Sequence, residues 1–118
     1  MERPRVLVVE PSEALREIEV EVLIRGGFYP CPAETLERAL LQLCACAPQL
    51  ILTTYALPDG TGVGLVEQAH AAGRWPAIVG VTDRDAERAA LRGVGVVHFL
   101  AKPFTARELL EIVRLALA

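Results

Sequence analysis

No stretch of this 118-residue chain approaches the roughly 20 consecutive apolar positions that a bilayer-spanning helix needs. The opening Met-Glu-Arg-Pro-Arg runs straight into an apolar strand with no signal-peptide core, so a cytoplasmic protein without membrane attachment is expected. A basic excess is also missing. Twelve Lys and Arg stand against 15 Asp and Glu, net charge -3, and the basic residues are dispersed among the acids, which excludes an electrostatic footprint for direct nucleic-acid binding. Cysteine is scarce: three residues, an odd count without framework spacing, fit a reducing compartment. Cys44 and Cys46 lie two apart on an expected helix and point to different faces, against a metal pair. His70 and His98 have no ligand partners in spacing, which leaves them surface or packing roles. With no repeat, linker or low-complexity segment, and with 53% hydrophobic residues, the whole chain, 1–118, is expected to form one domain with a substantial core.

What is present is an alternation of strand and helix signals. Arg5 to Val9, RVLVV, is the continuous apolar run of a strand buried on both faces of a parallel sheet. Ser12 can cap a following helix that Gly26-Gly27 would stop. Inside it, Glu17 to Val22 alternates with period 2, but the flanking cap and stop favour helix, with Leu15, Ile18 and Val22 on one face. Phe28 to Cys31 forms a second strand whose prolines, Pro30 and Pro32, suit a sheet edge. A helix with Leu36, Ala39, Leu40, Leu43 and Ala47 on one face follows and stops at Pro48. Leu50 to Thr54 is a buried strand that breaks into a Pro-Asp-Gly-x-Gly turn, and a helix from Gly62 to Ala72 carries Leu65, Val66 and Ala69 inward. Ala77 to Val81 is a fourth strand, and Asp83 to Arg92 a short polar helix with Arg84, Arg88 and Arg92 on one flank. That flank is a solvated face or part of a partner interface. Val96 to Leu100 is a fifth strand, and Thr105 with Glu108 forms a capping box for a terminal helix carrying Leu109, Ile112, Val113 and Ala116 inward. Trp75, before Pro76, is expected to cover the sheet edge.

Five strands alternating with five helices imply a doubly wound α/β domain with a parallel five-stranded sheet. In such sheets the chemistry gathers outside the carboxyl ends of the strands. There the chain collects Glu10, Pro11, Thr54, Thr82 and Lys102, with the neutral hydroxyls of Thr53 and Thr54 at the centre.

VLVVE at Val6 to Glu10, LILTTYALPDGTG at Leu50 to Gly62, GVT at Gly80 to Thr82 and FLAKPF at Phe99 to Phe104 resemble, in order and spacing, the landmarks of the receiver domains of two-component response regulators. The resemblance covers essentially the whole chain. It implies a flavodoxin-like, CheY-like fold with strand order 2-1-3-4-5, and a bacterial signalling module of the phosphorelay kind.

The resemblance also assigns roles, position by position. Two adjacent acidic residues that help hold Mg²⁺ would end the first strand; here they read Glu10 and Pro11. The phosphoacceptor aspartate would end the third strand; here it reads Thr54. The hydroxyl is kept as Thr82, the lysine as Lys102 and the switch aromatic as Phe99. Mg²⁺ requires octahedral oxygen ligation, usually from one or two carboxylates, and phosphoryl transfer depends on that metal for charge neutralisation. The expectation is therefore a pseudo-receiver without catalytic residues, metal or cofactor, acting through a protein partner, with a homodimer also compatible.

The competing expectation is an active phosphoryl-accepting receiver using Thr54 or Asp59 as surrogate acceptor. Thr54 has no evident base to activate it, and a turn aspartate more often serves local backbone. A flavodoxin-like cofactor carrier is disfavoured because the acidic, glycine-free first turn Glu10-Pro11-Ser12-Glu13 repels phosphate. Lys102, deprived of an aspartate partner, either pairs with Glu10 or bends into solvent, and Lys102-Pro103 is a cis candidate by resemblance. The interval from Thr82 to Gly95 is about two residues shorter than the family's usual, which alters the fourth helix on a face such domains use for output.

Overall fold

The computed structural model describes residues 2–118. Among them the chain runs β1 (Arg5–Val9), α1 (Glu13–Arg25), β2 (Tyr29–Ala33), α2 (Leu36–Cys46), β3 (Leu50–Thr54), β4 (Ala56–Leu57), β5 (Gly60–Thr61), α3 (Gly62–Ala71), β6 (Ala77–Val81), α4 (Asp85–Arg92), β7 (His98–Leu100) and α5 (Ala106–Leu117). No helix among the described residues is long and apolar enough to cross a membrane.

Five parallel strands form one sheet in the order β2-β1-β3-β6-β7. The expected numbering 2-1-3-4-5 is corrected by one local feature. The Pro-Asp-Gly turn carries a small antiparallel hairpin, Ala56 paired with Thr61 and Leu57 with Gly60, and these two-residue strands take the numbers four and five.

Register brings the strand ends together. Val9 pairs with Thr53, Thr53 with Gly80, Thr54 with Val81 and Val81 with Leu100, so Glu10, Thr54, Thr82 and the Lys102 loop leave the sheet along one edge.

The apolar strands are buried on both sides because successive side chains point to opposite faces. Leu7 and Val9 face a core shared with Ile51, Leu43, Leu65 and Leu91; Val6 and Val8 face one shared with Leu50, Leu52, Val79, Leu109 and Val113. Leu65, Val66 and Ala69 of α3 are buried as the pattern requires. Capping is equally literal. Ser12 accepts from the Leu15 N–H at 3.3 Å, and Thr105 and Glu108 complete a reciprocal capping box. Gly73, at φ +76°, ends α3 in a conformation that glycine adopts without strain.

Five expectations need correction. The inward face of α1 is set by Leu23 and, one turn earlier, Glu19, whereas Ile18 is 54% exposed. The segment Glu17 to Val22 offers a carboxylate or an apolar residue at nearly every angle, so its pattern did not fix the rotation; packing of Leu23 did. β2 starts at Tyr29 rather than Phe28 and runs to Ala33, still at the sheet edge where its prolines belong. β7 is confined to His98–Leu100, and α4 begins at Asp85 because Thr82 Oγ1 accepts the Arg84 N–H at 3.2 Å and holds Asp83 and Arg84 in a turn. Trp75 leaves the sheet edge open: it is 73% exposed and stacks on His70 at 3.7 Å.

The cysteine count and spacing announced no pairing, yet one is present. Cys31 of β2 and Cys46 of α2 form a disulfide, with Cα atoms 6.7 Å apart, and Cys44 is an exposed free thiol. Residues 15 apart in sequence become neighbours because α2 returns along β2, a proximity that spacing alone does not reveal.

Candidate functional site

Glu10 follows β1 directly, and its N–H donates to the Ala33 carbonyl at 3.0 Å. This places the carboxylate, 6% exposed, under the sheet edge. Both its oxygens are engaged: Oε1 lies 3.3 Å from Lys102 Nζ, and Oε2 accepts the Ser12 N–H at 2.9 Å. Arg16 Nη1 donates to the Glu10 carbonyl at 2.9 Å and the Pro11 carbonyl at 3.4 Å, fixing the turn. Lys102 reaches the site from the loop after β7, beside a cis Lys102-Pro103 bond, with its side chain 37% exposed. The ion pair is formed, and the solvated alternative is not.

Thr53 is fully buried and its hydroxyl donates to the Thr54 carbonyl at 2.9 Å. Thr54, half-buried, ends β3 one strand away from Glu10. The following loop closes tightly: Gly62 N–H donates to the Tyr55 carbonyl at 2.7 Å, and a Cβ at Gly62 would lie 2.8 Å from the Thr54 carbonyl oxygen. Asp59 points away from the strand end. Its carboxylate accepts the Leu36 and Glu37 N–H groups at 2.8 and 3.0 Å, so it ties the hairpin to the first turn of α2. Those hydrogen bonds, Glu37's first, hold it below the ordinary carboxylate range.

Thr82 faces α4. Its hydroxyl donates a short hydrogen bond to Glu87, and its carbonyl accepts from Arg88 Nε and Nη2 at 3.4 and 3.3 Å. Arg92 and Arg88 lie over the Phe99 ring at 5.0 and 5.9 Å, so two members of the arginine flank cover the aromatic, Arg88 half-buried and Arg92 still exposed to water.

One buried ionisable group escaped the sequence reasoning. Glu19 is 1% exposed, its Oε1 has no hydrogen-bond partner, and its carboxyl is pushed up to about 8. Burial is the main cause; the negative charge of Glu10 adds to it and Lys102 partly opposes it. The available signal was its position four residues before the core residue Leu23. Glu87 was missed too, because nothing in a polar helix marks which acid turns back to a strand end.

The donor set does not fit Mg²⁺. The oxygens of Glu10 are taken by Lys102 and Ser12, Glu87 accepts from the Thr82 hydroxyl, and Pro11 offers no side-chain ligand. Among the described residues no three His, Cys, Asp or Glu side chains converge where a metal could sit. With Glu10 and Glu87 both committed to protein partners, this edge supports no step that runs through Mg²⁺.

A five-stranded parallel sheet with helices on both faces, and a polar cluster at its carboxyl edge, defines a doubly wound α/β domain. Residues 6–114 match the response regulator receiver domain, and the chain belongs to that family. It is 34% identical over 114 residues to the phosphate regulon transcriptional regulatory protein PhoB of Klebsiella pneumoniae, covering 93% of this chain and 50% of the relative. It is 33% identical over 113 residues to the KDP operon transcriptional regulatory protein KdpE of Escherichia coli, covering 95% and 50%. The chain thus spans about half the length of these relatives. Among solved structures, a response regulator receiver protein from Pseudomonas putida superposes with a TM-score of 0.83 at 32% identity, covering 97% of this chain and 98% of that one. The chemotaxis response regulator CheY4 of Vibrio cholerae does so with 0.91 at 21%, covering 98% and 99%, which speaks for the fold alone.

Proposed function

We propose that this chain is a pseudo-receiver: a cytoplasmic regulatory module, formed by the whole chain as one domain, that works through protein-protein interaction without phosphorylation control and catalyses no phosphoryl transfer. The observation that carries this reading is the Glu10–Lys102 ion pair beside a neutral Thr54. In a phosphorylatable site the lysine and the acidic cluster wait on an incoming phosphoryl group and its metal. Here the remaining carboxylate neutralises the lysine, and the position of the acceptor carries an alcohol.

The other side of the edge supports the same reading. Thr82 is held by Glu87 and Arg84, and Phe99 by Arg92 and Arg88, so both groups that would respond to a phosphate are occupied by α4. A surrogate acceptor finds no support. Asp59 is committed to the α2 backbone, and among the described residues the Thr54 hydroxyl has no hydrogen-bonded base to activate it.

The test is incubation with a small phosphodonor and Mg²⁺, followed by intact-mass measurement. Unmodified protein supports the proposal, and an adduct of one phosphoryl group that disappears in Thr54→Ala or Asp59→Ala refutes it.

A further inference from the structure

Cys31 and Cys46 join the edge strand β2 to the last turn of α2. Cys31 is 6% exposed, within the core cluster that holds Leu7, Ala39 and Leu43, while Cys46 is half-buried and packs against that cluster. Two cysteines placed this way are tolerated in both redox states. As thiols they fill the space as small apolar side chains, and as a bridge they need no change in the surrounding elements.

We infer that Cys31 and Cys46 form a reversible thiol–disulfide modification site that exchanges with low-molecular-weight disulfides of the glutathione class. The more accessible Cys46 thiolate attacks one sulfur of the small disulfide, giving a mixed disulfide on Cys46 and releasing one small thiolate. The Cys31 thiolate then attacks the Cys46 sulfur, forms the Cys31–Cys46 bond and releases the second small thiolate. Two electrons pass from the protein to the small disulfide, and the two protein protons end on the released thiols. In a compartment that keeps thiols reduced, a bridge of this kind forms in response to oxidation.

The position gives the bridge a consequence for the carboxyl edge of the sheet. The far end of α2 is bound to the hairpin after Thr54 through the Leu36 and Glu37 N–H groups on Asp59. In the oxidised protein α2 is therefore held at both ends, covalently to β2 and by two hydrogen bonds to the hairpin. Reduction frees one end. Cys44 remains exposed on another face of α2, outside the bridge. The inference stands apart from the absence of phosphorylation, because its test reads thiols and not phosphate.

The experiment equilibrates the protein with buffers of varied reduced-to-oxidised glutathione ratio, quenches with an alkylating reagent and weighs the intact chain. All three cysteines are alkylated at the reducing end; at the oxidising end Cys31 and Cys46 are bridged and escape alkylation together in a single two-electron transition, while the exposed Cys44 is either alkylated or carries one glutathione. Cys44→Ser retains the step, whereas Cys31→Ser and Cys46→Ser abolish it; Cys46→Ser, at the half-buried position, keeps the test valid where the core variant fails to fold. The oxidised form melts roughly 10 °C above the reduced one. Cys31 and Cys46 alkylated at every ratio, alkylated at none, a stable glutathione adduct on Cys46 or a bridge through Cys44 overturns the assignment.

Discussion

Lys102 Nζ lies 3.3 Å from Glu10 Oε1, an ion pair that ties the end of β1 to the loop after β7 across 92 positions of sequence. The partners are unequally buried, Glu10 at 6% and Lys102 at 37% side-chain exposure, so their removal has unequal effects. Lys102→Met leaves a buried carboxylate without its cation and costs about 2 kcal/mol, the buried-pair cost reduced for the exposed lysine. Glu10→Gln lets the lysine swing into water and costs about 1 kcal/mol or less. Urea unfolding of both variants and of the double variant checks the order and the coupling.

Glu19 imposes a pH dependence. Its carboxyl sits at about 8 in the folded protein against an ordinary 4.5, so the folded state keeps a proton that the unfolded chain releases. Stability falls as pH rises from about 4.5 to about 8 and levels off above, a loss of a few kcal/mol at most. Glu19→Gln flattens that slope: its melting temperature exceeds that of the wild type at pH 8 and approaches it at about pH 4. Melting curves across this range are the check.

Asp59 acts in the opposite sense. Its folded-state value is lowered, so its contribution is present above the ordinary 3.8 and disappears as pH falls through the lowered value. Asp59→Ala lowers the melting temperature at neutral pH and accelerates hydrogen exchange at the Leu36 and Glu37 amides, while amides in the β3 interior stay protected.

Arg88 and Arg92 both cover Phe99, but Arg88 also donates twice to the Thr82 carbonyl. Arg92→Ala removes a cation–π contact worth about 0.5–1 kcal/mol. Arg88→Ala costs about 1–2 kcal/mol because hydrogen bonds go with it. Denaturation midpoints rank the two, and faster exchange of α4 amides accompanies the larger loss.

Much of this architecture is written locally. RVLVV, LILTT and AIVGV dictate buried strands, Ser12, Thr105 and Glu108 dictate helix starts, and Gly73 dictates an end, because each acts through its own backbone neighbourhood. The strand-end residues followed from the order of elements, whereas the cost of an unpaired charge made the Glu10–Lys102 pair one of two outcomes for Lys102, between which the sequence did not decide. The remainder depends on three-dimensional packing. Glu19 entered the core because Leu23 fixed the rotation of α1, Cys31 met Cys46 because α2 returns along β2, and Asp59 found the amides of α2 rather than its own turn. Glu87 turns to Thr82 only five residues away, but nothing in the pattern of α4 distinguishes it from the other acid of that helix.

The proposed pseudo-receiver function is most directly tested by weighing the wild type and the Pro11→Asp/Thr54→Asp double variant after the same exposure to a small phosphodonor and Mg²⁺. The variant restores a second carboxylate to the metal position and an acceptor to the end of β3, and it gains one phosphoryl group only when Mg²⁺ is present. Wild-type protein stays unmodified beside it. A wild type that gains the phosphoryl group at the variant's rate contradicts the pseudo-receiver reading.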